Sequence, residues 1–241
     1  MKQTGKPAGA TGNAFFTVLL GCLLVFPSLD SHGVNFPLRW RWSNPRPHGN
    51  NIVDMAYSPG LGLGVQVAER GQVYTSDDLS SWLPRDSGVT NALRAVTFFG
   101  RRIVITGEAG VVLYADSPAD FKPGRLLDGP TGDWLEAVAA SPQIVVAVGD
   151  NGAVYTSTNG VSWSRRNSPV LTEWLRGVAF GNNTFVAVGE NGFIATSSDG
   201  TDWVDQASST TTNLNRVAFT GNVFTAVGES GHPPTLPLVN R

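Results

Sequence analysis

One motif returns along this chain at a nearly constant interval, and that interval constrains the fold more tightly than any local propensity. Trp174–Trp203 reads WLRGVAFGNNTFVAVGENGFIATSSDGTDW, and Trp134–Trp163 reads WLEAVAASPQIVVAVGDNGAVYTSTNGVSW. A glycine two places after an acidic residue recurs at Gly71, Gly110, Gly152, Gly192 and Gly231, at spacings of 39, 42, 40 and 39 residues. An aromatic residue follows the first four of these glycines at a fixed distance, at Trp82, Phe121, Trp163 and Trp203.

Within one repeat, Leu175–Phe180 is a β-prone run and Gly181-Asn182-Asn183 a turn. Thr184–Val188 is a second run, and Gly189-Glu190-Asn191-Gly192 carries the Asn-Gly pair of a tight hairpin. Phe193–Ser197 is a third run, Ser198-Asp199-Gly200 a third turn, and a fourth strand follows from Trp203. Four antiparallel strands in roughly 40 residues make a propeller blade. Turns at ten-residue intervals exclude a helical solenoid, and a β-solenoid needs shorter rungs. The predicted fold is therefore all-β, a β-propeller of four-stranded antiparallel blades. Composition agrees: 28 of 241 residues are glycine, as frequent turns demand, and only 15% are charged, as blades buried on both faces demand. A net charge of −2 excludes the basic footprint of a nucleic-acid binder.

Ser197-Ser198-Asp199-Gly200-Thr201-Asp202-Trp203 and Ser157-Thr158-Asn159-Gly160-Val161-Ser162-Trp163 resemble the shortened Asp-box of BNR-type propellers. With Ala-Val-Gly-x-x-Gly ahead of them, residues 40 to 231 are most similar to the photosystem II stability and assembly factor-like propellers of secreted bacterial proteins. The resemblance implies a structural box. Ser157, Asn159 and Gly160, like Ser197, Asp199 and Gly200, cap a turn by side-chain to backbone bonds, while Trp163 and Trp203 fill the gap between blades. The first copy has Leu79 where glycine stands elsewhere, so a different turn is expected there. The second is degenerate, with Ala115, Ser117, Pro118 and Phe121 at the box positions.

Strand-one anchors stand at Ile52, Leu93, Leu135, Leu175 and Leu214, and Trp42 lies one period before Trp82. The chain thus begins with a blade's last strand and stops inside another blade, about four and a half blades in all. After Gly231 the residues His232-Pro233-Pro234 cannot continue a central strand. Two outcomes are open: an incomplete ring, the remnant of a larger propeller, whose uncovered blade faces allow self-association, or a five-bladed ring with a defective blade. The organisation expected is a secretory signal over residues 1–31, propeller repeats over 38–231 and an irregular Pro-rich tail over 232–241. Lys2 and Lys6 precede the uncharged run Ala14–Phe26, too short to span a bilayer. The mature chain is then secreted or periplasmic and has no transmembrane span. Cys22, the only cysteine, lies in that run; a lipoprotein anchor through it is the lesser alternative, and otherwise no disulfide, zinc site or thiol nucleophile remains.

Blade topology puts the acidic turns on one face with the connections between blades. That face collects Glu69, Glu108, Asp150, Glu190 and Glu229, together with Arg85, Arg165, Arg166, Trp134 and Trp174. Arg94, Arg176 and Arg216 are read as one position at the start of the inner strand, with Glu136 at the same place in its repeat. The candidate binding face is Trp134, Trp174, Arg165, Arg166, Arg176, Glu108, Asp150 and Glu190: aromatics to stack, arginines to bind carboxylates or phosphates. The acids recur in every copy and so read first as part of the repeat. The tryptophans are confined to two copies, which suits a specific site. The partner expected is a protein or a surface glycan, with no nucleic acid, metal or cofactor implied, and the activity expected is that of a non-enzymatic binding or assembly scaffold. Asp-box propellers also include sialidases, so a carbohydrate-binding propeller or glycoside hydrolase is the alternative. A sialidase-like site needs an arginine triad, a tyrosine nucleophile and its glutamate partner. Tyr74, Tyr114 and Tyr155 share one repeat position and read as core.

Overall fold

The computed structural model describes residues 50–128 and 132–229. The expected signal over 1–31, the strand around Trp42 and the tail over 232–241 lie outside them. Among the described residues no helix is long and apolar enough to cross a membrane.

The architecture is the repeated blade. The first comprises β1 (Ile52–Ser58), β2 (Leu63–Ala68), β3 (Val73–Ser76) and β4 (Leu83–Arg85). The second comprises β5 (Leu93–Phe99), β6 (Arg102–Gly107), β7 (Val112–Ala115) and β8 (Lys122–Pro123). After β9 (Arg125–Asp128) the third blade follows with β10 (Leu135–Ala140), β11 (Val145–Gly149), β12 (Val154–Ser157) and β13 (Ser162–Arg166). The fourth is β14 (Leu175–Gly181), β15 (Thr184–Gly189), β16 (Ile194–Ser197) and β17 (Val204–Asp205). Among the described residues β18 (Leu214–Thr220) and β19 (Val223–Gly228) represent the fifth. Apart from β9, the strands of every blade run in sequence order and pair antiparallel. Among the described residues the ring does not close: β18 and β19 form a sheet of two strands.

Strands of the second to fourth blades are apolar on both faces because each of those sheets is packed between two others. The whole of β11 is buried, and the principal side-chain clusters bridge consecutive blades. Val104 of β6 packs with Leu135, Val145 and Trp163 of the third blade, and Val146 of β11 packs with Leu175, Phe185 and Trp203 of the fourth. At the two ends this cover stops. Met55 and Tyr57 of β1 are 53% and 46% exposed, and Val227 of β19 is 49% exposed.

The serine–acid turns have one geometry. The Asp199 carboxylate accepts the backbone N–H groups of Thr201 and Asp202 at 2.8 and 2.9 Å, and Ser197 Oγ accepts that of Gly200 at 2.8 Å. Asn159 Oδ1 does the same for Val161 and Ser162, and Asp78 for Ser80 and Ser81. Leu79 corrects the expectation of a different turn. It adopts φ +58, the left-handed conformation of Gly160 (φ +70) and Gly200 (φ +78), and carries the backbone strain that glycine avoids.

The acidic turns are single 3-10 turns, Glu69–Gly71, Glu108–Gly110, Asp150–Gly152 and Glu190–Gly192. They fasten blade to blade. The Asp150 N–H donates to the Trp134 carbonyl at the entry of its own blade (3.1 Å), and the Gly152 N–H donates to the Glu173 carbonyl at the entry of the next (2.9 Å). Gly152 has φ +63, and a Cβ there would stand 1.8 Å from the Leu171 carbonyl oxygen, so a glycine is required.

Two features depart from the regular pattern. β9 is a fifth strand on the third blade and pairs with β13 in parallel. Pro123 ends the short β8, the Gly124 N–H still donates to Val112 O in the second blade, and the Arg125 N–H donates to Val161 O in the third. The chain thus changes blade within two residues. The second departure is a β-bulge at the same place in all five inner strands, at Val53, Arg94, Glu136, Arg176 and Asn215. Arg216 lies one residue beyond it. It therefore does not share the position of Arg94 and Arg176 but that of Asp54, Ala95, Ala137 and Gly177.

Candidate functional site

A bulge re-aims the side chain of its extra residue, and here it sets Arg94, Glu136 and Arg176 on successive blades beside the entry residues Trp134 and Trp174. The result is a continuous row. Arg94 forms an ion pair with Glu108 and places its guanidinium 5.4 Å from the centre of the Trp134 ring. Trp134 meets Trp174 edge to face, with centroids 6.2 Å apart at 83°. The Arg176 guanidinium lies 5.0 Å from the Trp174 ring and pairs with Glu190 at 2.6 Å. Cation–π attraction holds the guanidiniums against the rings. Three donors in this row, Arg94 Nε, Arg176 Nε and Trp174 Nε1, are buried without a hydrogen-bond partner among the described residues. Unpaired buried donors are costly, and a row that carries three of them is not explained by stability alone.

The other expected members of the face have structural roles. Arg166 Nε donates to Thr156 Oγ1 at 2.8 Å, as Arg85 Nε donates to Thr75 Oγ1 in the first blade, so Arg166 belongs to the repeat. Arg165 Nε stands 3.4 Å from Asp133 Oδ2, which also accepts the Tyr155 hydroxyl at 2.7 Å. The Asp150 carboxylate accepts the Trp134 N–H at 2.8 Å. Of the candidate residues, the structure brings together Trp134, Trp174, Arg176, Glu108 and Glu190, joined by Arg94. Arg165, Arg166 and Asp150 stabilise the surroundings.

Behind the row the five inner strands enclose an axial cavity of about 210 Å³, whose charged lining is Asp54, Glu136 and Arg216. Asp54 Oδ2 accepts the Val96 N–H of the neighbouring blade at 2.9 Å. Burial pushes the Asp54 carboxyl above its ordinary range, against hydrogen bonds from Val96 and Met55 and the charge of Arg216. Burial likewise pushes Glu136 up, against Arg94, Arg216 and Arg176. Asp54 was missed in the sequence; its one signal is a single charged residue on an inner strand whose counterparts are mostly small.

Tyr155 is fully buried; burial, reinforced by the Asp133 carboxylate, holds its hydroxyl neutral well above the usual phenol range. That is the opposite of what a nucleophile requires. Tyr114 corrects the shared tyrosine position. It pairs with Val104 and lies under Arg102 at 5.2 Å, at the repeat position of Thr75 and Thr156 rather than of Tyr74 and Tyr155. No three His, Cys, Asp or Glu side chains among the described residues converge to hold a metal ion.

Residues 86–215, more than half of the chain, match the model of the DUF6242 beta propeller domain. The chain belongs to this family. Solved structures share the DUF6242 propeller's fold at low identity. YCF48 from Cyanidioschyzon merolae is 20% identical with a TM-score of 0.60, over 81% of this chain and 70% of that one. YCF48 bound to D1 peptide is 19% identical with a TM-score of 0.61, over 76% and 62%. The computationally designed Ika8 protein is 16% identical with a TM-score of 0.59, over 77% and 58%. The DUF6242 propeller therefore spans between 58% and 70% of the length of these proteins. No curated protein is similar enough in sequence to match it.

Proposed function

We propose that this chain is an exported, non-enzymatic propeller that binds a protein segment on the face built by Arg94, Trp134, Trp174 and Arg176. The observation that carries the reading is the row itself: two aromatic edges between two guanidiniums, with three buried donors unspent. Such a row suits a peptide that alternates apolar and acidic side chains. YCF48, of the same fold, is known in complex with D1 peptide. Sugar binding is the weaker reading, because stacking on a sugar needs an open aromatic face. Here each ring has a guanidinium against it and the two rings meet at 83°. We also read the serine–acid turns as shortened Asp-boxes with a structural role, supported by the common bonding of Asp78, Asn159 and Asp199.

The test is a pull-down from a secreted or periplasmic extract with the full chain as bait, against the Trp134→Ala/Trp174→Ala double variant, alongside a glycan array and a fluorogenic glycoside panel. A protein captured by the wild type and lost in the variant is the expected result. Glycoside turnover abolished by removing one loop-face carboxylate overturns the reading. Export is checked by the mass of the mature N-terminus.

A further inference from the structure

The bulge residue and the acidic turn of a blade form a charge pair in two copies: Arg94 with Glu108, and Arg176 with Glu190. Between them, the third blade carries Glu136 and Asp150 at the same two positions, both acidic. Asp150 is bound to the Trp134 N–H. Glu136 has no hydrogen bond or ion pair among the described residues, and lies half-buried at the axial cavity in the field of Arg94, Arg176 and Arg216 from three other blades. A residue that replaces the arginine of both neighbouring blades with the opposite charge, lines a cavity and has no local partner is not explained by the architecture of the repeat.

We propose that Glu136 is a built-in competitor for a ligand carboxylate: Arg94, Arg176 and Arg216 receive a carboxylate of a bound peptide, and Glu136 opposes that carboxylate until it is itself neutralised. This rests on the reading that the face binds a protein segment, and it names the ligand group and its regulation. Each of Arg94 and Arg176 pairs with its glutamate through one terminal nitrogen and keeps the other for a second acceptor. Of the three arginines Arg216 lines the axial cavity together with Glu136, and the cavity volume of about 210 Å³ accommodates a carboxylate-bearing side chain or a chain terminus. Burial makes Glu136 easier to protonate than an ordinary glutamate, whereas the arginines hold their charge throughout. Acidification therefore removes the opposing charge and leaves the attracting ones. The other groups facing Glu136 are Glu108, which repels it, and Asp54 across the cavity.

The experiment measures anisotropy of fluorescein-labelled tetraaspartate with the full chain, wild type and Glu136→Gln, at pH 7.5 and 5.5, where the probe stays ionised. The variant is expected to bind about tenfold tighter than wild type at pH 7.5, within the usual range of coupling between sites. The wild type should tighten on going to pH 5.5 and the variant should not. A C-terminally amidated probe tells the source apart: loss of binding assigns a terminal carboxylate, retention a side chain. Equal or weaker binding by the folded variant at pH 7.5, including no binding by either protein, overturns the proposal. So does a pH response that survives in Glu136→Gln, which would belong to Asp54 or Glu108. The same measurement in the Trp134→Ala/Trp174→Ala background separates the two readings. A Glu136 effect that persists there upholds the competitor and refutes the aromatic row as the peptide platform.

Discussion

Trp134 and Trp174, one repeat apart and on neighbouring blades, meet edge to face at 6.2 Å, each with an arginine against its ring. An edge-to-face pair adds about 0.5–1.5 kcal/mol beyond area burial. A double-mutant cycle with Trp134→Leu and Trp174→Leu, followed by urea unfolding, is therefore expected to show a coupling of about 1 kcal/mol. Additive effects would mean that the rings do not sense each other.

Asp199 is held by several bonds. Burial is the largest single influence and raises its carboxyl, but the bonds from Asp202, Thr201 and Ser197 together outweigh it and keep the group well below the usual range. Asn159 makes the same backbone bonds in the preceding copy. Asp199→Asn should thus leave neutral-pH stability within about 0.5 kcal/mol, while Asp199→Ala costs about 1 kcal/mol, since the turn is largely solvated. The sign with pH follows from a depressed folded-state pKa: the stabilisation is present above the unfolded value and is lost as acid titrates the folded carboxylate. Relative to Asp199→Asn, wild-type stability should decline below about pH 4, measured by unfolding at stepped pH.

Glu136 has the opposite sign. Its folded pKa lies above the unfolded one, so its contribution is intact below the unfolded value and is lost as pH rises through the folded value. Glu136→Gln should unfold at a higher temperature than wild type at pH 7.5, with the gap closing towards pH 4.5. A gap independent of pH would mean that the variant acts through packing instead of charge.

The uncovered ends make a prediction about assembly. Tyr57 on β1 and Val227 on β19 are exposed apolar side chains at opposite ends of the series of blades. Light scattering over a concentration series should show association that weakens in Tyr57→Lys and Val227→Lys. A monomer at all concentrations in wild type contradicts this.

The blade architecture was legible because a fixed period, tight-turn residues and doubly apolar strands agree with one another. Gly152, Trp163 and Asp199 each have one architectural task, and a repeat displays such tasks in several copies. What was not legible depends on register. The bulge is invisible in composition, and it is what separates Arg216 from Arg94 and Arg176. Counting back from the following acidic turn shows the offset, since Arg94 and Arg176 precede their glutamates by the same interval and Arg216 does not. The contacts of Arg165 with Asp133 and of Arg166 with Thr156 were not legible either, because strand pairing and packing supply those partners. The crossing of β9 had only Pro123-Gly124 as a local sign.

That crossing bears on how the molecule comes apart. Most repeat arrays open one unit at a time, because each unit is joined to the next by side-chain packing alone. Here the backbone of the second repeat is hydrogen-bonded into the third through Arg125 and the strand that follows. The two repeats should therefore exchange their amide protons as a single cooperative unit, while the two-stranded end opens earlier and independently.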